Sequence, residues 1–325
     1  MTQAKTIGLV GDIGGTNARF ALADLSGEHP RLSHVREYPS KNYQCGGDAV
    51  SAYLKDTGAT PAIAAIAVAG PVTHGAVHFT NLGWTFSEDE ILKLGFEKAH
   101  LLNDFEAMAL ATQHLHAKDL HLLGDRQRGE PHATVAVLGP GTGFGASALV
   151  RREGVAVALA AEPGHAAFAP NDETEREILR ILSRKFSDRV SIERVLSGPG
   201  LQNLHEALNE IEGTKAEPIA PADITHRALA GDELCLRTVR RFCAILGSVA
   251  GDLALTYGAR GGLFVAGGIA PSILPILDKS DFRARFEAKG RFRSYAAAIP
   301  THVVLQTFAA FLGAGDMARQ LAIQT

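Results

Sequence analysis

The chain has 325 residues, 46% hydrophobic and 21% charged, with 34 glycines and a formal net charge of −3. This excludes a disordered or fibrous protein and describes a globular α/β chain rich in tight turns and long enough for two domains. No lysine or arginine block offers the electrostatic footprint of a nucleic-acid binder, so no DNA or RNA partner is expected.

In chain order, "MTQAKTIGLVGD" reaches its glycines and aspartate too early for a secretory h-region, which predicts a cytoplasmic protein. "KTIGLVGDIGGTNARFALADL" reads as strand, Gly-Gly turn, strand, with Ile7, Leu9 and Val10 leading in and Phe20 and Leu22 leading out. "PAIAAIAVAGPV" is a β-run ending at Gly70-Pro71. "TNLGWTFSEDEILKLG" is a turn holding Asn81 and Trp84, then a helix opened by Ser87 with Glu90 at capping-box spacing. "HLLNDFEAMALATQHL" is a strand ending at Leu102 that runs into a helix.

"HATVAVLGPGTGFGASALVR" repeats the opening grammar: aligning Thr16 with Thr142 puts Gly15 on Gly141, which points to a duplicated fold. "ETEREILRILSRKF" is an amphipathic helix with Ile178, Ile181 and Leu182 on one face. "RVLSGPGLQNLHEALNEI" is a loop and a helix, and residues 211–222 have the proline and polar content of a surface connection. A long helix follows in "DELCLRTVRRFCAILGSVAGDLALTYG", then a buried strand, Gly-Gly turn and helix start in "GGLFVAGGIAPSIL". That uncharged run is too broken and short to span a bilayer. Cys45, Cys235 and Cys243 fit neither a disulfide framework nor a zinc cluster and read as reduced, buried thiols. His114, His116 and His121 read as surface residues.

The chemistry lies in the turns. A Gly-Gly turn between strands frees backbone N–H groups and removes Cβ atoms, so a phosphate chain can approach Gly14, Gly15, Thr16 and Asn17. Asp12 beside that turn suits phosphate only if Mg²⁺, held through water, lies between them; the competing reading is an ordinary hairpin capped by Asp12. A second loop, "GPGTGFG", offers Gly141, Thr142 and Gly143 for the same nucleotide. Neither loop is a G-x-x-x-x-G-K-[ST] or G-x-G-x-x-G motif. Gly267-Gly268 could let an adenine ring lie against the backbone or could be a simple strand-helix turn.

The order "GDIGGTNARFALA", "LLNDFEAMALA", "GPGTGFGASALV", "EPGHAAFAP", "RVLSGPGLQNL", "FVAGGIAPSIL" resembles the bacterial glucokinase family of the hexokinase/actin-like ATPase superfamily, over nearly the whole chain. The resemblance implies a two-domain α/β, actin-like ATPase (ribonuclease H-like) fold. Each domain would be a mixed β-sheet flanked by helices, with ATP and sugar meeting in the cleft. The expected domains are 1–110 plus about 301–325, with the first phosphate loop, and 111–300, with the second loop, sugar ligands and adenosine site.

By the same resemblance Asp104 is the general base for the attacking hydroxyl, where an Asn-Asp helix cap is the structural alternative. Asn103, Asp104, Glu162, His165 and Glu193 are the implied sugar ligands, a set of amide, carboxylates and imidazole matched to a ring of hydroxyls. "AAFAPNDETE" after His165 has no cysteine, which separates this chain from the zinc-binding sugar kinases and repressors. Gly70, Pro71, Asn81 and Trp84 would shape the sugar side of the first domain, Trp84 more as a packing residue than a platform. The implied activity is ATP- and Mg²⁺-dependent 6-phosphorylation of glucose by a homodimer. The alternatives are a kinase for fructose, mannose or an N-acetylhexosamine, or a sugar-sensing regulator, for which about ten residues before the first loop leave no room for a helix-turn-helix.

Overall fold

Each glycine hairpin starts a mixed sheet in the computed structural model, which describes residues 7–79, 82–152, 155–187, 189–214 and 217–323. Asn81 lies outside the described residues. Contacts divide the chain into two units, Met1–His116, Val155–Ala160 and Gln306–Thr325 in the first, and Ala117–Gly154 and Ala161–Leu305 in the second.

In the first unit β1 (Ile7–Ile13) pairs antiparallel with β2 (Asn17–Asp24), which carries β3 (Arg31–Pro39) on its outer side. After α1 (Gly46–Thr57), β4 (Ile63–Val68) lies parallel to β1. A small ribbon, β5 (Ala76–Phe79) with β6 (Trp84–Ser87), leads to α2 (Glu88–Lys93), and then β7 (Lys98–Asn103) joins parallel to β4 and runs into α3 (Asp104–Ala111). The sheet order is β3-β2-β1-β4-β7. β4, "IAAIAV", is buried at every position, as a central parallel strand covered on both faces requires. Alternation along β1 sends Leu9 and Ile13 into a core with Phe20, Tyr53 and Phe86, and Val10 into a second core with Phe311, Ala314 and Ala318 of the C-terminal helix (Ala309–Ile323). Ser87 and Glu90 form the expected capping box of α2, and Trp84 is a packing residue, 5% exposed and edge-on to Phe79.

The second unit has β8 (Leu120–Leu123), β9 (Val135–Pro140) and β10 (Phe144–Arg152); the short β11 (Val155–Ala158) that follows groups with the first unit. Next come α4 (Glu173–Lys185), α5 (Gly198–Ile211), α6 (Pro221–Leu229) and α7 (Glu233–Tyr257), then β12 (Gly262–Val265) and β13 (Thr301–Val304). β9 and β10 form the hairpin, while β12 lies parallel to β9 and β13 parallel to β12. The run β10-β9-β12-β13 therefore repeats β2-β1-β4-β7, and the duplication suggested by the two glycine turns is a duplication of topology.

The repeat is not residue-for-residue. The first loop closes from the Gly14 N–H to the Asn17 carbonyl at 2.9 Å, with Gly15 and Thr16 between; the second closes from the Gly141 N–H to the Gly143 carbonyl at 2.8 Å, with only Thr142 between. Gly141 thus holds the place of Gly14 rather than of Gly15, because the second tip is one residue shorter, which a gapless alignment cannot represent.

α7 crosses the second core with Cys235 and Cys243 buried, and burial first of all pushes their thiols up to about 11 and about 12. Cys45 is only half-buried. One face of α4 buries Ile178, Ile181 and Leu182 as its spacing predicts. None of the described helices is long and apolar enough to cross a membrane.

His114 departs from its surface reading: it is 7% exposed, with Nε2 3.3 Å from Asp316 on the C-terminal helix and Nδ1 2.9 Å from His29 Nδ1. Its partner lies 202 residues away, so no local pattern marks it. His116 is exposed, and His121, half-buried, pairs with Asp278 at 2.9 Å. Asp316, itself 1% exposed, also accepts from Arg319 at 2.8 Å and Gln320 at 2.9 Å. Burial alone would raise its carboxyl, but these hydrogen bonds from His114, Arg319 and Gln320 prevail and hold it at about 2.

A carboxyl held below its unfolded value stabilises the fold above that value and loses the effect as pH falls through the folded pKa. Asp316 should therefore contribute on the order of 2 kcal/mol at neutral pH, lost as pH falls from about 4 towards about 2. Acid titration followed by circular dichroism should show that this part of the transition flattens in Asp316→Asn. Gly313 of the C-terminal helix lies so close to the Ala107 carbonyl of α3 that a Cβ has no room. Gly313→Ala should cost about 1–3 kcal/mol, read as a lowered Tm in calorimetry.

Candidate active site

Parallel pairing sets the edge of the first sheet. β1, β4 and β7 run the same way, with Ile13 opposite Val68 and Val68 opposite Asn103, so their carboxyl ends are level. The Gly14–Asn17 loop and the Asn103-Asp104 junction consequently stand on one edge of the sheet, two strand spacings or roughly 10 Å apart. The carboxyl edge of parallel strands is where open α/β sheets bind ligands.

Gly15 and Thr16 are exposed at the loop tip, and among the described residues their N–H groups donate to no protein acceptor. Asp12 does not cap the turn. It lies opposite Arg19 on β2, with its carboxylate 3.8 Å from the guanidinium, while Arg19 gives its short bond, 2.6 Å, to Glu37. Burial pushes the Asp12 carboxyl up, and Arg19 only partly pulls it back. The charge beside the loop is therefore under-compensated by the protein.

Asn103 is the N-cap of α3. Its Oδ1 accepts from the Phe105 N–H at 2.8 Å, and Glu106 reaches back to the Asn103 N–H at 2.9 Å. Its Nδ2 donates to the Gly70 carbonyl at 3.1 Å, so the Gly70-Pro71 turn holds the amide. The cap fixes the residue that follows: Asp104 is half-buried at the first turn of α3, and one of its oxygens accepts from the Phe105 N–H at 2.9 Å. The helix cap is thus Asn103, and Asp104 is the first residue of the helix it caps.

In the second unit Phe144 is the hub. Its N–H donates to Glu193 Oε2 at 2.9 Å, and its carbonyl lies against Gly164, where a Cβ would collide. Gly143 is similarly bare against the Glu193 carboxylate. The segment around Glu162 and His165 is tied to the one leading to Glu193 by Ile192 N–H to Ala166 carbonyl, 2.9 Å, and by Arg189 Nη2 to the His165 carbonyl, 2.7 Å. Glu162 and His165 have exposed side chains. Ser197 closes the turn below, donating to the Glu193 carbonyl at 2.7 Å and accepting from the Gly200 N–H at 3.0 Å. The structure therefore brings Glu162, His165 and Glu193 together beside the Gly141–Gly143 loop.

The third glycine pair joins the same edge. Gly267 has φ +80°, and a Cβ on it would sit 2.5 Å from the Pro140 carbonyl; Gly268 faces open space. As in the first loop, the N–H groups of Thr142 and Gly143 have no protein acceptor among the described residues. Two contributors escape sequence reasoning: Arg189, and Ser40, which holds the first loop from behind. Neither belongs to a spacing pattern.

Residues 9–321 match the model of the family described as Glucokinase. The chain is 55% identical over 310 residues to a glucokinase of Caulobacter sp. strain K31, covering 95% of this chain and 94% of that one. Among solved structures, a glucokinase from an Antarctic psychrotroph is 37% identical, with a TM-score of 0.88 over 97% of this chain and 99% of the other. A ROK family glucokinase from Streptomyces griseus, solved with glucose and AMPPNP, shares the fold at 21% identity, with a TM-score of 0.65 over 97% and 99%. Matched almost end to end, and across both hairpins, the chain belongs to the glucokinase family.

Proposed function

We infer that the chain transfers the γ-phosphoryl group of ATP to the 6-hydroxyl of D-glucose, giving glucose 6-phosphate and ADP at the entry of glycolysis. The observation that carries this is family membership at 55% identity across 95% of the chain. Asn103, Asp104, Glu162, His165 and Glu193 are read as the glucose ligands. The glycines and threonines of the two loops, with Asn17, are read as the phosphate ligands, and Gly267 and Gly268 as the adenosine side.

Phosphoryl transfer asks for positioning and charge compensation more than for covalent chemistry. Asp104 accepts the proton of the 6-hydroxyl as that oxygen bonds to the γ-phosphorus and the bond to the ADP oxygen breaks. The unpaired N–H groups of Gly15, Thr16, Thr142 and Gly143 donate to phosphate oxygens, offsetting charge without reorganisation.

For Mg²⁺ the residues fit one role. Among the described residues no three His, Cys, Asp or Glu side chains group into a metal cage, which argues against a resident ion. One under-compensated carboxylate, Asp12, suits an ion that arrives on the nucleotide and is held through water. When bound, Mg²⁺ supplies positive charge to the phosphates. A cytoplasmic homodimer is the working state that the family resemblance supports.

A coupled assay with Mg-ATP across glucose, fructose, mannose, galactose and N-acetylglucosamine should show turnover concentrated on glucose; a stronger second sugar would reassign the substrate. Asp104→Ala should lower kcat by roughly 10²- to 10⁴-fold with the circular dichroism spectrum unchanged, and near wild-type kcat would remove Asp104 from its role. Gly143→Ala, by pushing Glu193 off the Phe144 N–H, should lower kcat/KM by about 10-fold or more.

A further inference from the structure

Ser40 begins a short 3-10 turn (Ser40–Asn42) directly after β3 and is 0% exposed. Its Oγ donates to the Gly14 carbonyl at 3.0 Å, and its own N–H donates to the Thr16 carbonyl at 2.9 Å. One buried residue thus takes two alternate carbonyls of the first glycine loop. We propose that Ser40 is a positioning residue for the nucleotide: by fixing the Gly14 and Thr16 carbonyls it aims the N–H groups of the loop at a phosphate.

A planar trans peptide carries its C=O and the following N–H on opposite sides. Anchoring the Gly14 carbonyl to Ser40 therefore turns the Gly15 N–H away from Ser40, and anchoring Thr16 does the same for Asn17. The Gly15 N–H is one of the two tip donors with no protein acceptor among the described residues. A glycine pair left to itself would sample many peptide orientations and would have to give up that freedom on binding. Ser40 removes the freedom beforehand, which is what preorganised donors require.

The second loop carries the same clamp with different chemistry. There the Gly198 N–H donates to the Gly141 carbonyl at 2.8 Å, and the following N–H, that of Thr142, has no protein acceptor among the described residues. Gly14 and Gly141 occupy the same place, the first residue after the inner strand and the donor that closes the loop. A clamp that recurs on equivalent residues, once from a serine hydroxyl and once from a backbone amide, belongs to what the loops do and not to the packing of β3. Only the first clamp depends on a side chain, so Ser40 is where it can be tested.

The inference rests on reading the first loop as a phosphate site for ATP. Ser40→Ala removes the bond to Gly14 and keeps the backbone bond to Thr16; Ser40→Thr returns a hydroxyl. In the holoprotein assayed with Mg-ATP and glucose, Ser40→Ala should raise both KM for ATP and the inhibition constant of tripolyphosphate by roughly tenfold. KM for glucose should stay within about twofold, and Ser40→Thr should recover most of the loss. A folded Ser40→Ala enzyme with an unchanged tripolyphosphate constant overturns the proposal, as does an equal rise for ATP and glucose, which marks general loosening. Wild-type enzyme that tripolyphosphate does not inhibit in competition with ATP sinks the phosphate reading of the loop instead.

Discussion

A hairpin that turns through glycine must leave N–H groups at its tip that neither strand can accept, and those unpaired donors are what the rest of each unit is arranged to hold still. Elsewhere the chain satisfies its backbone carefully: Ser87 and Asn103 take part in full capping boxes, Asp172 and Asp232 cap α4 and α7, and α7 ends on a left-handed Gly258. Against that economy, the N–H groups of Gly15, Thr16, Thr142 and Gly143 stand out, with no protein acceptor among the described residues. The strands of each sheet set where the loops stand, and bonds from outside the hairpins set which way their peptides face.

Duplication supplied two such loops, and the two have diverged where chemistry differs. Counting back from the closing donors, Asp12 of the first hairpin corresponds to Gly139 of the second, where a Cβ would sit 2.5 Å from the Ala266 carbonyl. A carboxylate is impossible there without moving the backbone of Ala266 and Gly267, just past β12. The second loop instead has Glu193 at its far side, bonded through Phe144. One loop thus has the Asp12 carboxylate beside it, and the other has the Glu193 carboxylate, one oxygen of which accepts from the Phe144 backbone.

Much of this was legible in the sequence because it is written locally. The glycine turns, the strand that gives way to a helix at Asn103-Asp104, the capping box at Ser87 and the apolar face of α4 are all features of spacing within a dozen residues. What escaped was long-range or depended on register. Ser40 reaches a loop 26 residues earlier, His114 finds Asp316 at a separation of 202, and Glu193 finds Phe144 at 49. The one-residue difference between the hairpin tips was hidden for a related reason: glycine-rich turns look alike in sequence whatever their closing bond. The Asn-Asp pair shows the opposite case: the cap is legible from residue type alone, and Asn103 is the residue that makes it.

The first unit is built from the two ends of the chain: its sheet comes from the first hundred or so residues, yet one face of that sheet is closed by Phe311, Ala314 and Ala318. Made from the amino end, the chain cannot finish the unit it starts first. Val10, Ala21, Ala65 and their neighbours stay uncovered through the whole synthesis of the second unit, so the interval between making and burying them is set by translation. A stop codon anywhere in the last fifteen or so residues would remove part of the helix that closes that face, leaving apolar surface of the kind that chaperones and proteases recognise.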